Sequence, residues 1–194
     1  FIIYSDLGIA PIIIPYEEDS NQLTISIPPR DASKIHEELR IGNSLSSYYE
    51  TVRNEYGSSF TSIDDLCKFS AQLALHDLHR LAWTSIEEEY GENVGEESIE
   101  QAYEKLVKAY EYCEIKQFDS DTEKIEKILD FVSWYVDYEP EIDDSQRSPV
   151  ETLSLRSGDC DDFTILVSAL FEMAEIECAI GYFQNDAEEA HSMV

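Results

Sequence analysis

The sequence predicts an α+β protein, and three observations carry that expectation. Residues 1–30 are rich in β-branched side chains, and Leu23, Ile25 and Ile27 alternate with polar neighbours as a half-buried strand does. From Asp31 to Glu139 the apolar residues recur at helical spacing instead. The chain then closes on a helix, a strand, a polar loop and a second strand, between Cys160 and Val194.

Element by element, "APIIIPY" and "QLTISIPP" read as strands. Pro28 and Pro29 end the second, and Pro11 and Pro15 mark an edge or an extended arm. The first helical run starts at an Asp31 or Ser33 cap and stops at Gly57, with Gly42 as a point of bending or interruption. A long helix is expected from Ser62 to Glu89 and a third from Ser98 to Lys116. A fourth follows an Asp121 or Thr122 cap, striped by Ile125, Ile128, Leu129, Val132 and Val136. Pro149 suits the first position of a short helical turn, "PVETLSL". A helix from Cys160 to about Ala174 leads into the strand "ECAIGYF", and "HSMV" begins another. A change of composition near Phe118–Asp121 divides residues 1–120, a β-rich arm with a helical region, from residues 121–194.

Composition narrows the partners. Acids number 42 against 13 bases, a net charge of −29, so clustered cations for nucleic-acid phosphates or an anionic membrane are missing. No run reaches the roughly 18 apolar residues of a membrane span. The chain opens on Phe1 and stops at Val194 within a strand, so it reads as a piece of a longer or processed protein. The compartment stays open: exported or cell-surface if a signal or anchor has been removed, cytoplasmic otherwise.

Chemistry concentrates at "SLRSGDCDDFTILVSAL". With Asp159 or Ser157 as cap, Cys160 lies in the first turn of a helix, where unpaired N–H groups favour a thiolate and can hold an oxyanion. Gly158 allows a tight turn and close approach of a substrate backbone. Asp161 and Asp162 raise the cost of a neighbouring thiolate, so a basic partner is needed. His191, 31 positions on (191 − 160), is the candidate imidazole. Cys67, Cys113 and Cys178 form no CxxC and read as small core residues. His76 and His79 form H-x-x-H around Asp77 and read as a solvated or packed pair, while His36 has no partner pattern.

The run "SPVETLSLRSGDCDDFTILVSALFEMAEIECAIGYF…AHSMV" resembles the transglutaminase-like superfamily of cysteine enzymes. The P-x-E-T-L and G-D-C-D-D elements, the apolar helix, the strand and the histidine about thirty residues on carry the likeness, and "FVSWYVDYEPE" is similar to the family's preceding segment. The resemblance covers about Asp121 to Val194. It implies a papain-like core, in which the cysteine-bearing helix packs on an antiparallel sheet, with a mostly helical N-terminal elaboration. It further implies a Cys160–His191 pair whose third member, usually Asp, is expected beyond Val194. One of Trp134, Tyr135 or Tyr138 would line the oxyanion pocket. Likeness to bacterial periplasmic proteinases of this type implies calcium held by Asp159, Asp161 and Asp162, although no cofactor is required. The implied function is acyl transfer or amide hydrolysis, as in a cysteine protease or transglutaminase, acting on protein or peptide. The competing reading is an inactive binding or structural module of the same family.

Overall fold

The computed structural model describes residues 31–56, 63–78, 96–140, 146–184 and 190–194. The expected strands of residues 1–30 lie outside these. What is described is mostly helical, with two two-stranded sheets.

Helix α1 (Ala32–Leu39) starts where Asp31 accepts the N–H groups of Ser33 and Lys34, at 3.1 and 3.2 Å. It buries Ile35 and Leu39. Arg40 is extended and ends it, and α2 (Asn43–Tyr56) begins just after Gly42. The single run read from the sequence is thus two helices. The next helix, α3, spans Ile63–His76 rather than continuing to Glu89. The chain turns at Asp77 and Leu78, and the Asp77 carboxylate points inward to Tyr49 and to the N–H of Val150. Residues 79–95, with His79, lie outside the described residues. In α4 (Glu96–Tyr112), Ile99, Ala102, Leu106 and Ala109 are buried at helical spacing, and Cys113 continues the stripe. Helix α5 (Asp121–Tyr135) buries Ile128, Phe131, Val132 and Tyr135 and stops earlier than its apolar pattern suggests. Val136 is extended there and feeds strand β1 (Asp137–Tyr138).

The short helix α6 (Pro149–Leu155) is fixed by a capping box: Ser148 Oγ accepts the N–H of Glu151, and the Glu151 carboxylate accepts that of Ser148. Arg156 ends α6 in the left-handed region, at φ 59°. The chain passes through β2 (Ser157–Gly158), which runs parallel to β1, into α7 (Cys160–Met173). Residues 164–171 of α7 are all buried. This is the central helix, and α3, α4, α5 and α6 pack on it. Strand β3 (Gly181–Gln184) pairs antiparallel with β4 (Ala190–Met193), and β4 lies against α7. One core joins Leu39, Leu45, Tyr49 and Leu106 from the front helices to Ile128, Leu153, Ile165 and Leu170 behind them. Each fully buried aliphatic side chain contributes about 1.5–3 kcal/mol.

Strand β3 starts four residues later than "ECAIGYF" suggests, and this corrects the reading of Cys178. Residues 176–180 run outside the strand, and Cys178 is exposed there rather than in the core. Cys113 is buried, as expected, and its S–H donates to the Ala109 carbonyl. Cys67 is half-buried.

Candidate active site

Cys160 is the first residue of α7. Asp159 caps that helix through one oxygen, Oδ1, which accepts the N–H groups of Asp161 (3.0 Å) and Asp162 (3.4 Å). The thiol is half-buried, so it is neither sealed in the core nor fully in solvent. Its S–H donates to Oδ1 of Asp161 at 3.4 Å. Burial pushes the thiol above its ordinary pKa, and the Asp161 carboxylate adds to this. The backbone N–H and hydroxyl of Ser192 act in the opposite sense, favouring the thiolate.

Neighbouring elements frame this cysteine. The N–H of Asp137 donates to the Arg156 carbonyl (2.8 Å) and that of Glu139 to the Gly158 carbonyl (2.9 Å), so β1 lies alongside the approach to Cys160. Behind β1, the Arg156 guanidinium sits 5.0 Å from the centre of the Tyr135 ring, and its Nε donates to the Tyr135 carbonyl. Gly158 is required by close packing. A Cβ there would stand 2.7 Å from Cβ of Asp162.

The three aromatic candidates separate. Tyr135 is fully buried and stacked on Phe131, with its hydroxyl 3.5 Å from His36 Nδ1. Trp134 is half-buried, tilted against Phe131 and Tyr135. Tyr138 is exposed and packs its ring at a tilt on Phe163, 6.1 Å between centroids. Burial, and then the charges of Cys160, Asp159 and Asp161, raise its hydroxyl pKa. Of the three, Tyr138 is the one beside the thiol.

The three aspartates separate as well. Asp162 is fully buried and bound to Arg147: Oδ1 accepts the backbone N–H (2.8 Å) and Oδ2 accepts Nη1 (3.3 Å). Burial nonetheless outweighs these donors and pushes its carboxyl up to about 7. Asp159 is raised too, by burial and then by Asp161. The ligand atoms that do converge, within 4.8 Å of one another, belong to Asp159, Cys160 and Asp161. Two carboxylates and a sulfur do not fit the all-oxygen cradle that calcium prefers, and Asp162 is committed to Arg147.

His191 stands on β4 opposite Phe183, and Ser192 stands opposite Tyr182. Side chains alternate along a strand. Ser192 and Tyr182 take the face towards the helices: the Ser192 hydroxyl donates to Thr164 on α7 (3.2 Å), and Tyr182 reaches Ser70 on α3 (2.7 Å). His191 is on the other face and is exposed. Among the described residues, no hydrogen bond joins its imidazole to the thiol. Ser192, Gln146 and Tyr182 are the site residues that sequence reasoning missed. They come from distant segments, and only the register of β4, set by pairing with β3, brings Ser192 to the sulfur.

A cysteine at a helix N-terminus beside a small antiparallel sheet is the arrangement described here. A model of the transglutaminase-like superfamily matches residues 113–194, so the C-terminal part of the chain is transglutaminase-like. No curated protein and no solved structure matches the chain. Among the described residues no helix is long and apolar enough to cross a membrane.

Proposed function

We propose that Cys160 is the nucleophile of an acyl-transfer or amide-hydrolysis reaction on a protein or peptide, with His191 as its base, in a papain-like core. The thiolate attacks the carbonyl and forms a thioester. The imidazolium returns the proton to the departing amine, and water or a second amine then releases the acyl group. The observation that carries this reading is the position of Cys160: first residue of a capped helix, half-exposed, with β4 running past it. His191 directly precedes Ser192, whose N–H and hydroxyl act on the sulfur. Tyr138, the aromatic beside the thiol, is the one that would help hold the oxyanion. Likeness to prokaryotic members of the family favours hydrolysis over cross-linking.

The test is site-resolved alkylation with iodoacetamide. Cys160 should react faster at pH 7 than Cys178, which is more exposed. His191→Ala should slow it, and unchanged labelling would separate the two residues.

A second reading is a binding or structural module that has lost catalysis. The outward face of His191 and the raised thiol pKa favour it. In that case alkylation of Cys160 rises only above the ordinary cysteine pKa, because the protonated thiol is the unreactive form.

A further inference from the structure

Asp161 is held more firmly than a half-exposed carboxylate needs to be. Its Oδ2 accepts Nε2 of Gln146 at 3.3 Å, and its Oδ1 accepts the thiol proton. Gln146 is buried, at 4% exposure, and its remaining polar contacts are fixed. Nε2 also donates to the Tyr182 hydroxyl (2.6 Å), and Oε1 accepts the Ser70 hydroxyl (2.9 Å). The hydroxyls of Ser70 and Tyr182 are 2.7 Å apart and close the triangle. Three segments far apart in sequence thus converge on one amide that aims one carboxylate at the sulfur. A buried polar network of this kind restricts its members to one arrangement. A carboxylate oxygen of Asp159 lies within 4.8 Å of both the sulfur and Asp161, and the charges of both acids bear on Tyr138. Arg147, a cation close to the site, is bound to Asp162 and to the Ser157 carbonyl.

The geometry points to Asp161 as a specificity-determining residue, positioned by Gln146, that makes the thiol select substrates carrying positive rather than negative charge near the reacting carbonyl. A charge approaching Cys160 meets a fixed carboxylate within one side chain's length. At such a distance, near a protein surface, one charge alters a local concentration or rate by about tenfold. This inference rests on Cys160 being the reacting group.

Two methanethiosulfonates of similar size, one with a trimethylammonium and one with a sulfonate tail, test it. The thiolate displaces methanesulfinate and forms a disulfide with either reagent, so the fraction of thiolate cancels in the ratio of their rates. Peptide-level mass spectrometry isolates Cys160 from the other cysteines. The expected cationic-to-anionic ratio at Cys160 is about tenfold above that of free cysteine. Asp161→Asn should lower it several-fold, and Gln146→Ala should also lower it by letting the carboxylate turn away. Tyr182→Phe, which keeps the ring and removes one partner of Gln146, serves if Gln146→Ala does not fold. A ratio equal to that of free cysteine, or one unchanged in Asp161→Asn, overturns the inference. An unchanged ratio in folded Gln146→Ala or Tyr182→Phe overturns the positioning role. Iodoacetamide tells this failure from that of the nucleophile: if Cys160 outpaces Cys178 with a flat charge ratio, only the charge selectivity falls.

Discussion

Two places in this molecule set a carboxylate against a group that exchanges protons, and they are built in opposite ways. At the end of α3, Asp77 is fully buried. Its Oδ1 accepts the Tyr49 hydroxyl (2.7 Å) and faces His76 Nδ1 (3.0 Å), and Oδ2 accepts the Val150 N–H that opens α6. His76 Nε2 in turn meets the Tyr48 hydroxyl at 2.6 Å. A carboxylate only accepts, so Nδ1 is the donor to Asp77, and Nε2 shares a hydrogen bond with the Tyr48 hydroxyl. Burial and the Asp77 charge hold the Tyr49 hydroxyl well above its ordinary pKa. At the start of α7, by contrast, the thiol is half-open, and one face of Asp159 and Tyr138 looks outward. The first cluster has the residue types of a catalytic relay and no room for a reactant, so it is a joint between α2, α3 and α6. The second leaves its sulfur partly open to solvent. Access, more than residue type, separates the sealed polar cluster from the open one.

The sharpest way to break that contrast is Cys160→Ala. It should abolish any amidase or acyl-transfer activity and change stability by no more than about 0.5 kcal/mol. Turnover that survives, measured on peptide amides, would remove the open site from the chemistry. Next in size is Asp77→Ala, which strands a buried hydroxyl, a ring N–H and a helix N–H. Urea unfolding should show a loss of roughly 3 kcal/mol or more. A small loss would mean the sealed joint is not one.

Asp162 tests the border between the two regions through pH. Its folded carboxyl stands near 7 against 3.8 for the ordinary group. A raised pKa means that the folded state binds the proton more tightly. The stability gained is therefore complete below about pH 4 and lost as pH rises through about 7. The whole swing is roughly 4 kcal/mol at most. Asp162→Asn, compared by urea melts at pH 4.5 and pH 8, should flatten that slope, and an unchanged slope would show that Asp162 is ionised throughout. The smallest effect is Tyr49→Phe. It removes one of the donors to Asp77 and should cost about 1 kcal/mol in thermal or urea unfolding.

Much of the fold was legible because helical periodicity and end signals are local. Asp31, Asp159 and Pro149 mark starts that the structure uses, and Gly42 marks the break between α1 and α2. The helix expected from Ser62 ends at His76 within the described residues, because an apolar stripe says which face is buried and not where the chain turns. The turn falls at Asp77, the residue whose carboxylate is buried against Tyr49 and Val150. The H-x-x-H pattern drew notice to His76, but the partners of that ring are Tyr48 and Asp77, and the first of these lies 28 residues away.

The sequence by itself determined that a cysteine would head an apolar helix between acids, in a transglutaminase-like segment, because caps, periodicity and motifs are written within a few turns of chain. Only the tertiary structure decided which neighbours that cysteine has. Arg147 claimed Asp162, Gln146 claimed Asp161, and the pairing of β4 with β3 turned Ser192 towards the sulfur and His191 outward. Those outcomes depend on strand register and on packing between segments 15 or more residues apart, where one step along a strand exchanges one face for the other.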